Sequence, residues 1–164
     1  MSFLIQTIRW LNIGGLTLSA IAMLVMMLHI TLDVGIRYFF NGQIVGTLEV
    51  VSFYYMVVLV FLALGYVENR NENIRVDLFG QMMPRGAQLA LYIFACLAGL
   101  VFFGMLFWQS LHDAIGSTQR KEDAMSNFTF FIWPARWALP LGFAGVFLAT
   151  ASNLLKSIAR RQAL

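Results

Sequence analysis

Four stretches of the chain each run for about twenty residues or more almost without charge: Ile13 to Ile36, Gly46 to Val67, Ala87 to Leu111 and Pro134 to Leu155. A helix rising about 1.5 Å per residue needs roughly that many to cross a hydrocarbon layer about 30 Å thick. Such runs must be covered by lipid or by a core far larger than 164 residues can build. With 60% hydrophobic and 12% charged residues and a mean hydropathy of +0.75, the chain lacks the polar surface of a soluble domain, which is about 25% charged. The sequence predicts an all-α integral membrane protein, one membrane domain over residues 1–164 with four transmembrane helices.

Arg9 before an apolar run resembles the start of a signal peptide, but the run continues to Ile36 without a small-residue cleavage site, so a retained helix is expected. The connections are a short turn, RYFFNGQIV, with Asn41 and Gly42 at its apex, and two polar stretches, ENRNENIRVDLFGQMMPR and HDAIGSTQRKEDAMSN. Basic residues set the orientation, because they accumulate on the cytoplasmic side. Arg9, Arg70, Arg75, Arg85, Lys156, Arg160 and Arg161 fall on one side, against Arg37, Arg120, Lys121 and Arg136 on the other. Both termini are therefore expected in the cytoplasm.

Two segments carry a helical apolar period beside charge: Leu4, Ile5, Ile8 and Leu11 around Arg9, and Ile74, Leu78 and Met82 around Arg75 and Gln81. Each reads as a short interfacial amphipathic helix lying flat on the membrane lipids, or as an irregular tether. Trp133 and Trp137 suit the outer headgroup belt. Pro134 suits a first helical position, and Pro140 removes a hydrogen bond inside the last span, which predicts a kink between Arg136 and Pro140.

The ionisable residues near the first turn need a reason to be there. His29, Asp33 and Arg37 recur every four residues on one face of the first helix. One reading is structural: Asp33 precedes Arg37 in the favourable order, and Arg37 meets the negative helix end and reaches the headgroups. Others are a polar seam against another helix or subunit, or a step in an ion path. Glu49 opens the second span, where a carboxylate favours the exposed N–H groups, and the short turn brings it within reach of Arg37. In the last span Ala138, Gly142, Gly145, Ala149 and Ser152 form a small-residue stripe, for packing within the chain or for docking a second membrane protein.

Several classes of function are excluded. The scattered positive charge, net +3, forms no stripe for nucleic acid, and the single Cys96 lies within an apolar run. No glycine-rich phosphate loop, HExxH or nucleophile elbow is present, so no catalytic or metal site is assigned. His29 and His112, both near the outer ends of their helices, leave a haem-bearing anchor of a quinone-linked oxidoreductase as an alternative, beside a purely structural or assembly protein.

An ordered set of residues carries a resemblance. RYFF at Arg37 to Phe40, Glu49 after a short turn, FLALGY at Phe61 to Tyr66, NIRVDLF at Asn73 to Phe79, Pro84, and WPARWALPLGF at Trp133 to Phe143 together resemble the small membrane subunit of tripartite ATP-independent periplasmic transporters, the DctQ-like family. The chain departs from that pattern at Gly46, Thr47 and Leu48, around the Glu49 position, and at Asn73. The resemblance implies a sodium-coupled importer of an organic acid in the bacterial inner membrane. In it a periplasmic substrate-binding protein captures the acid, a large membrane subunit moves it, and the small subunit is a scaffold without a cofactor, substrate site or enzyme activity. It also implies that Arg37, Tyr38, Glu49, Ile74, Val76 and Asp77 hold the scaffold's shape or its subunit contact.

Overall fold

The computed structural model describes residues 2–70, 84–123 and 130–160. Helix α1 spans Ser2–Phe40, α2 spans Thr47–Arg70, α3 spans Arg85–Arg120, α4 is the single turn Trp133–Arg136, and α5 spans Ala138–Arg160. The described residues are all-helical apart from turns and one isolated bridge between Asp123 and Phe131. Four helical segments, Gln6–Phe40, Thr47–Arg70, Gly86–Arg120 and Trp133–Ile158, are long and apolar enough to cross a membrane.

The helices stand in a row. α1 packs mainly on α2, α2 packs on α5, and α5 packs on α3, so α1 and α3 occupy opposite ends. The two end helices are the long ones: at about 1.5 Å per residue, the 39 residues of α1 and 36 of α3 reach about 58 and 54 Å. The upper end of the row carries the turn 41–46, Lys121 and Phe131, and the lower end carries Ser2 and Arg160.

The first boundary differs from the sequence reading. The segment around Arg9, expected as a separate flat helix or an irregular tether, continues unbroken into the first span, because nothing between Ile8 and Ile13 breaks the helix and Asn12 is buried against its neighbours. Its end is local: Asn41 adopts a left-handed conformation (φ 49°), the usual stop after a helix, rather than the apex of a tight turn. Gly46, at φ 90°, makes the second reversal that starts α2, a conformation glycine adopts freely.

α3 also runs on, to Arg120 instead of Leu111. Ala114 and Ser117, fully buried, keep that last stretch packed, and a left-handed Lys121 stops it with hydrogen bonds from Lys121 N to Thr118 O (3.3 Å) and Glu122 N to Ser117 O (3.0 Å). Between α4 and α5 the helix is interrupted at Trp137. Pro140, with no N–H for the Arg136 carbonyl, accounts for the break within the expected interval. The amphipathic segment at Ile74, Leu78 and Met82 lies outside the described residues.

Candidate functional site

The polar groups of α1 are arranged by a seven-residue period. Ile8, Asn12, Gly15, Ser19, Ala22, Met26, His29 and Asp33, three and four apart, are all covered wholly or in part, while most of the helix around them is exposed. This stripe faces α2, and the two helices run antiparallel in one register. A Cβ on Gly65 would strike the Asn12 Oδ1, and one on Gly15 would come within 2.6 Å of the Leu62 carbonyl oxygen. The Ser19 hydroxyl donates to the Val58 carbonyl at 3.3 Å. Steps of three and four forward along α1 thus match equal steps backward along α2.

Above Ser19 the seam passes the π-helical turn Val51–Tyr55 of α2. His29 Nδ1 lies 3.3 Å from the Tyr55 hydroxyl, with the rings edge to face. Asp33, only 5% exposed, closes the seam: Oδ1 accepts the Ile44 backbone N–H at 2.9 Å and Oδ2 accepts Arg37 Nε at 2.9 Å. The Thr47 hydroxyl donates to the Ile44 carbonyl at 3.1 Å, so both backbone groups of Ile44 are held by side chains. A carboxylate is worth keeping here because leucine could not receive a peptide N–H that the turn leaves free. Polar residues off the seam satisfy themselves: the Thr17 and Thr31 hydroxyls donate to the Ile13 and Met27 carbonyls of their own helix.

The expected pair between Glu49 and Arg37 is not among the ion pairs of the described residues. Arg37 turns to Asp33 on its own helix, and Glu49 is half-buried two residues past Thr47, about 200° further round α2. Tyr38 is 78% exposed, beside equally bare Phe39 and Phe40. Ile74, Val76 and Asp77 lie outside the described residues.

The small stripe of α5 is covered by this chain. A Cβ on Gly142 would strike the Phe61 carbonyl oxygen of α2, and Gly145 lies against Gly65 and Asn12, so three helices meet at one point. Ala149 and Ser152 are buried, and Asn153 Nδ2 donates to the Glu68 carbonyl at 2.7 Å. The sequence reading missed Asn12, Gly15, Ser19, Gly65 and Asn153; the seven-residue stripe on α1 is the signal that would have found the first three.

A second knot ties the upper end of α3 to α4. Glu122 forms an ion pair with Arg136, its backbone carbonyl accepts Ile132 N at 2.9 Å, and Trp137 Nε1 donates to the Thr118 hydroxyl at 3.0 Å. The Ser117 hydroxyl, then the Arg136 and Arg120 charges, hold the Glu122 carboxyl below the ordinary glutamate value. The connection also reaches α2: the Tyr54 hydroxyl donates to the Phe131 carbonyl at 2.7 Å, and Phe130 packs edge-on to Tyr54.

The arrangement holds helices together. Among the described residues no group of three or more His, Cys, Asp or Glu could hold a metal ion. His29 and His112 sit on the end helices of the row with α2 and α5 between them, so no haem bridges them in this fold.

No curated protein matches the chain. A family model does: the one described as tripartite ATP-independent periplasmic transporters, DctQ component, matches residues 26–160. That interval takes in the upper part of the α1 seam, all of α2 and α3, the three-helix crossing on α5 and both upper knots, and so the chain belongs to the DctQ family of transporter membrane components.

Proposed function

We propose that this chain is the non-catalytic small subunit of a sodium-coupled importer of an organic acid, standing in a bacterial inner membrane with both termini in the cytoplasm. There it anchors the large transport subunit, and the periplasmic binding protein visits the assembly transiently. The family match over residues 26–160 carries this reading. The row of helices supports it in physical terms. Asp33 and Glu122 are engaged in holding turns and helix ends, which suits a part that resists movement while another part moves. Arg37, Tyr38, Glu49, Ile74, Val76 and Asp77 are the residues proposed to hold the scaffold's shape or its subunit contact, with Arg37 and Tyr38 exposed at the upper rim.

The test is reconstitution. The chain, co-expressed with a large subunit, is expected to purify as a stable heterodimer, and vesicles holding both are expected to take up an organic acid only with a sodium gradient and the soluble binding protein. Uptake by the chain alone, or a large subunit equally active without it, would overturn the anchoring role. Engineered cysteines at each terminus, labelled only from the cytoplasmic side, check the orientation.

A further inference from the structure

Two contacts between α3 and α5 fix their relative depth. Gly104 faces the Phe147 ring, a Cβ there coming within 3.5 Å, and Thr118 holds the Trp137 indole. Leu141 lies between Trp137 and Phe147 on α5. It therefore sits level with the part of α3 that holds Gln109, His112 and Asp113. Leu141 is 61% exposed, as a side chain in hydrocarbon should be. At the same level the outward face of α3 exposes Gln109, His112 and Asp113, with Trp108 stacked on the His112 ring at a centroid distance of 5.7 Å. Gln109 Nε2 donates to Asp113 Oδ1 at 3.1 Å, which engages one carboxylate oxygen from within the helix.

A carboxylate and an amide facing outward at the depth of a bare leucine are out of place against lipid, where intramembrane ionisable groups are rare and face protein or water. On the far end of the row the exposed side chains of α1 include Leu18, Ile21, Leu24 and Leu28. Acceptors on Asp113 and Gln109 call for donors, and the aromatic pair beside them supplies the flat contact area that membrane-embedded interfaces use.

We infer that the outward face of α3 at Trp108, Gln109, His112 and Asp113 is where the large transport subunit docks, through a membrane helix that offers a hydrogen-bond donor or a cation to Asp113. This rests on the proposed function and names the surface that serves it. α3 then stands between the partner and α5, at the end of the row opposite α1.

The experiment places a nitroxide label at Gln109→Cys or at Leu28→Cys, each in a Cys96→Ala background, and reads its accessibility to oxygen in lipid nanodiscs with and without the large subunit. The label at 109 is expected to be accessible in the chain alone and shielded in the heterodimer, and the label at 28 to remain accessible in both. Gln109→Leu with Asp113→Leu is expected to weaken association about three- to tenfold, with Asp113→Asn in between. These side chains are exposed, so the chain alone should keep its helix content. A stable heterodimer in which position 109 stays accessible, or in which the double variant binds as tightly as the parent, overturns the docking face while leaving the subunit assignment intact. Failure of any heterodimer to form overturns the assignment itself.

Discussion

The α1–α2 hairpin and the α3–α5 pair solve the same problem, holding two apolar helices together in lipid, by different means. In the hairpin Asn12, Gly15 and Ser19 meet Gly65, Leu62 and Val58 in register, and Asp33 holds the Ile44 N–H of the turn, through hydrogen bonds and close backbone approach. Along the other pair, residues 104 to 118 of α3 run beside only residues 137 to 147 of α5, so the contacts slip as one climbs and the helices are inclined. Apolar contact with lipid tails is as good as apolar contact with a helix, so hydrophobicity fixes no register in a bilayer. Directional groups fix it where they recur down the seam. At Gly104 and Phe147 of the other pair the contact is apolar, which sets no register, and the Trp137 indole on Thr118 ties the upper end.

The largest expected effect comes from adding one methyl group to each pair. Gly15→Ala pushes a carbon into the Leu62 backbone and is expected to remove about 3 kcal/mol of stability, the upper range for overpacking. Gly104→Ala meets only ordinary contact with Phe147 and is expected to lose none. Thermal unfolding of the two variants in detergent decides this, and equal losses would break the contrast.

Next in size is Asp33→Ala, which frees the Ile44 N–H and is expected to cost about 2 kcal/mol, with Asp33→Asn less damaging because its amide oxygen still accepts. Steric-trap unfolding would measure both. Ser19→Ala should cost about 0.6 kcal/mol, the typical value for an interhelical hydrogen bond in a membrane, and Thr17→Ala, off the seam, nothing measurable. A double-mutant cycle of Ser19→Ala with Asp33→Ala sharpens the picture: near-additive losses mean that the seam is a ladder of separate rungs.

The smallest effect concerns pH. Glu122 titrates below its ordinary value of 4.5 in the folded chain, so its contribution is complete above that value and fades as pH falls through the lower folded value. Acidification from about pH 6 to 3 should loosen the α3–α4 corner, read as solvent exposure of Trp137, and Glu122→Gln should remove that dependence. The Ser19 rung, a hydroxyl on a carbonyl, holds no carboxylate and should show no matching transition.

Much of the fold was legible because bilayer thickness converts directly into a run length, and four runs of that length stand out whatever their order. Helix ends were less legible. The stop of α1 at Asn41 was misplaced, and α3 outran its apolar stretch because Ala114 and Ser117, one polar residue among them, are buried by packing that no local signal announces. The site was half visible. Asp33 was marked by its charge, and its link to Arg37 by spacing, but its second partner is the backbone of Ile44, and a peptide N–H looks alike at every position of a sequence. Glu49 was paired with Arg37 on proximity along the chain, and the direction each side chain leaves its helix decided otherwise. Asn12 stood unmarked in the seven-residue stripe of α1, and Gly65 went unnoticed because a lone small residue in an apolar run carries no meaning until a second helix is laid against it.

The hydrogen bond from Tyr54 to Phe131 has a bearing on biogenesis. It joins residues 77 positions apart, whereas the rungs from Asn12 to Asp33 are completed by chain made shortly afterwards. During synthesis the opening pair of helices has everything it needs to settle while later segments are still emerging. The clasp at Tyr54 closes only after the ribosome has delivered the stretch that leads into α4, so it follows the making of α3, and a product truncated before Phe131 would leave that tyrosine unlatched.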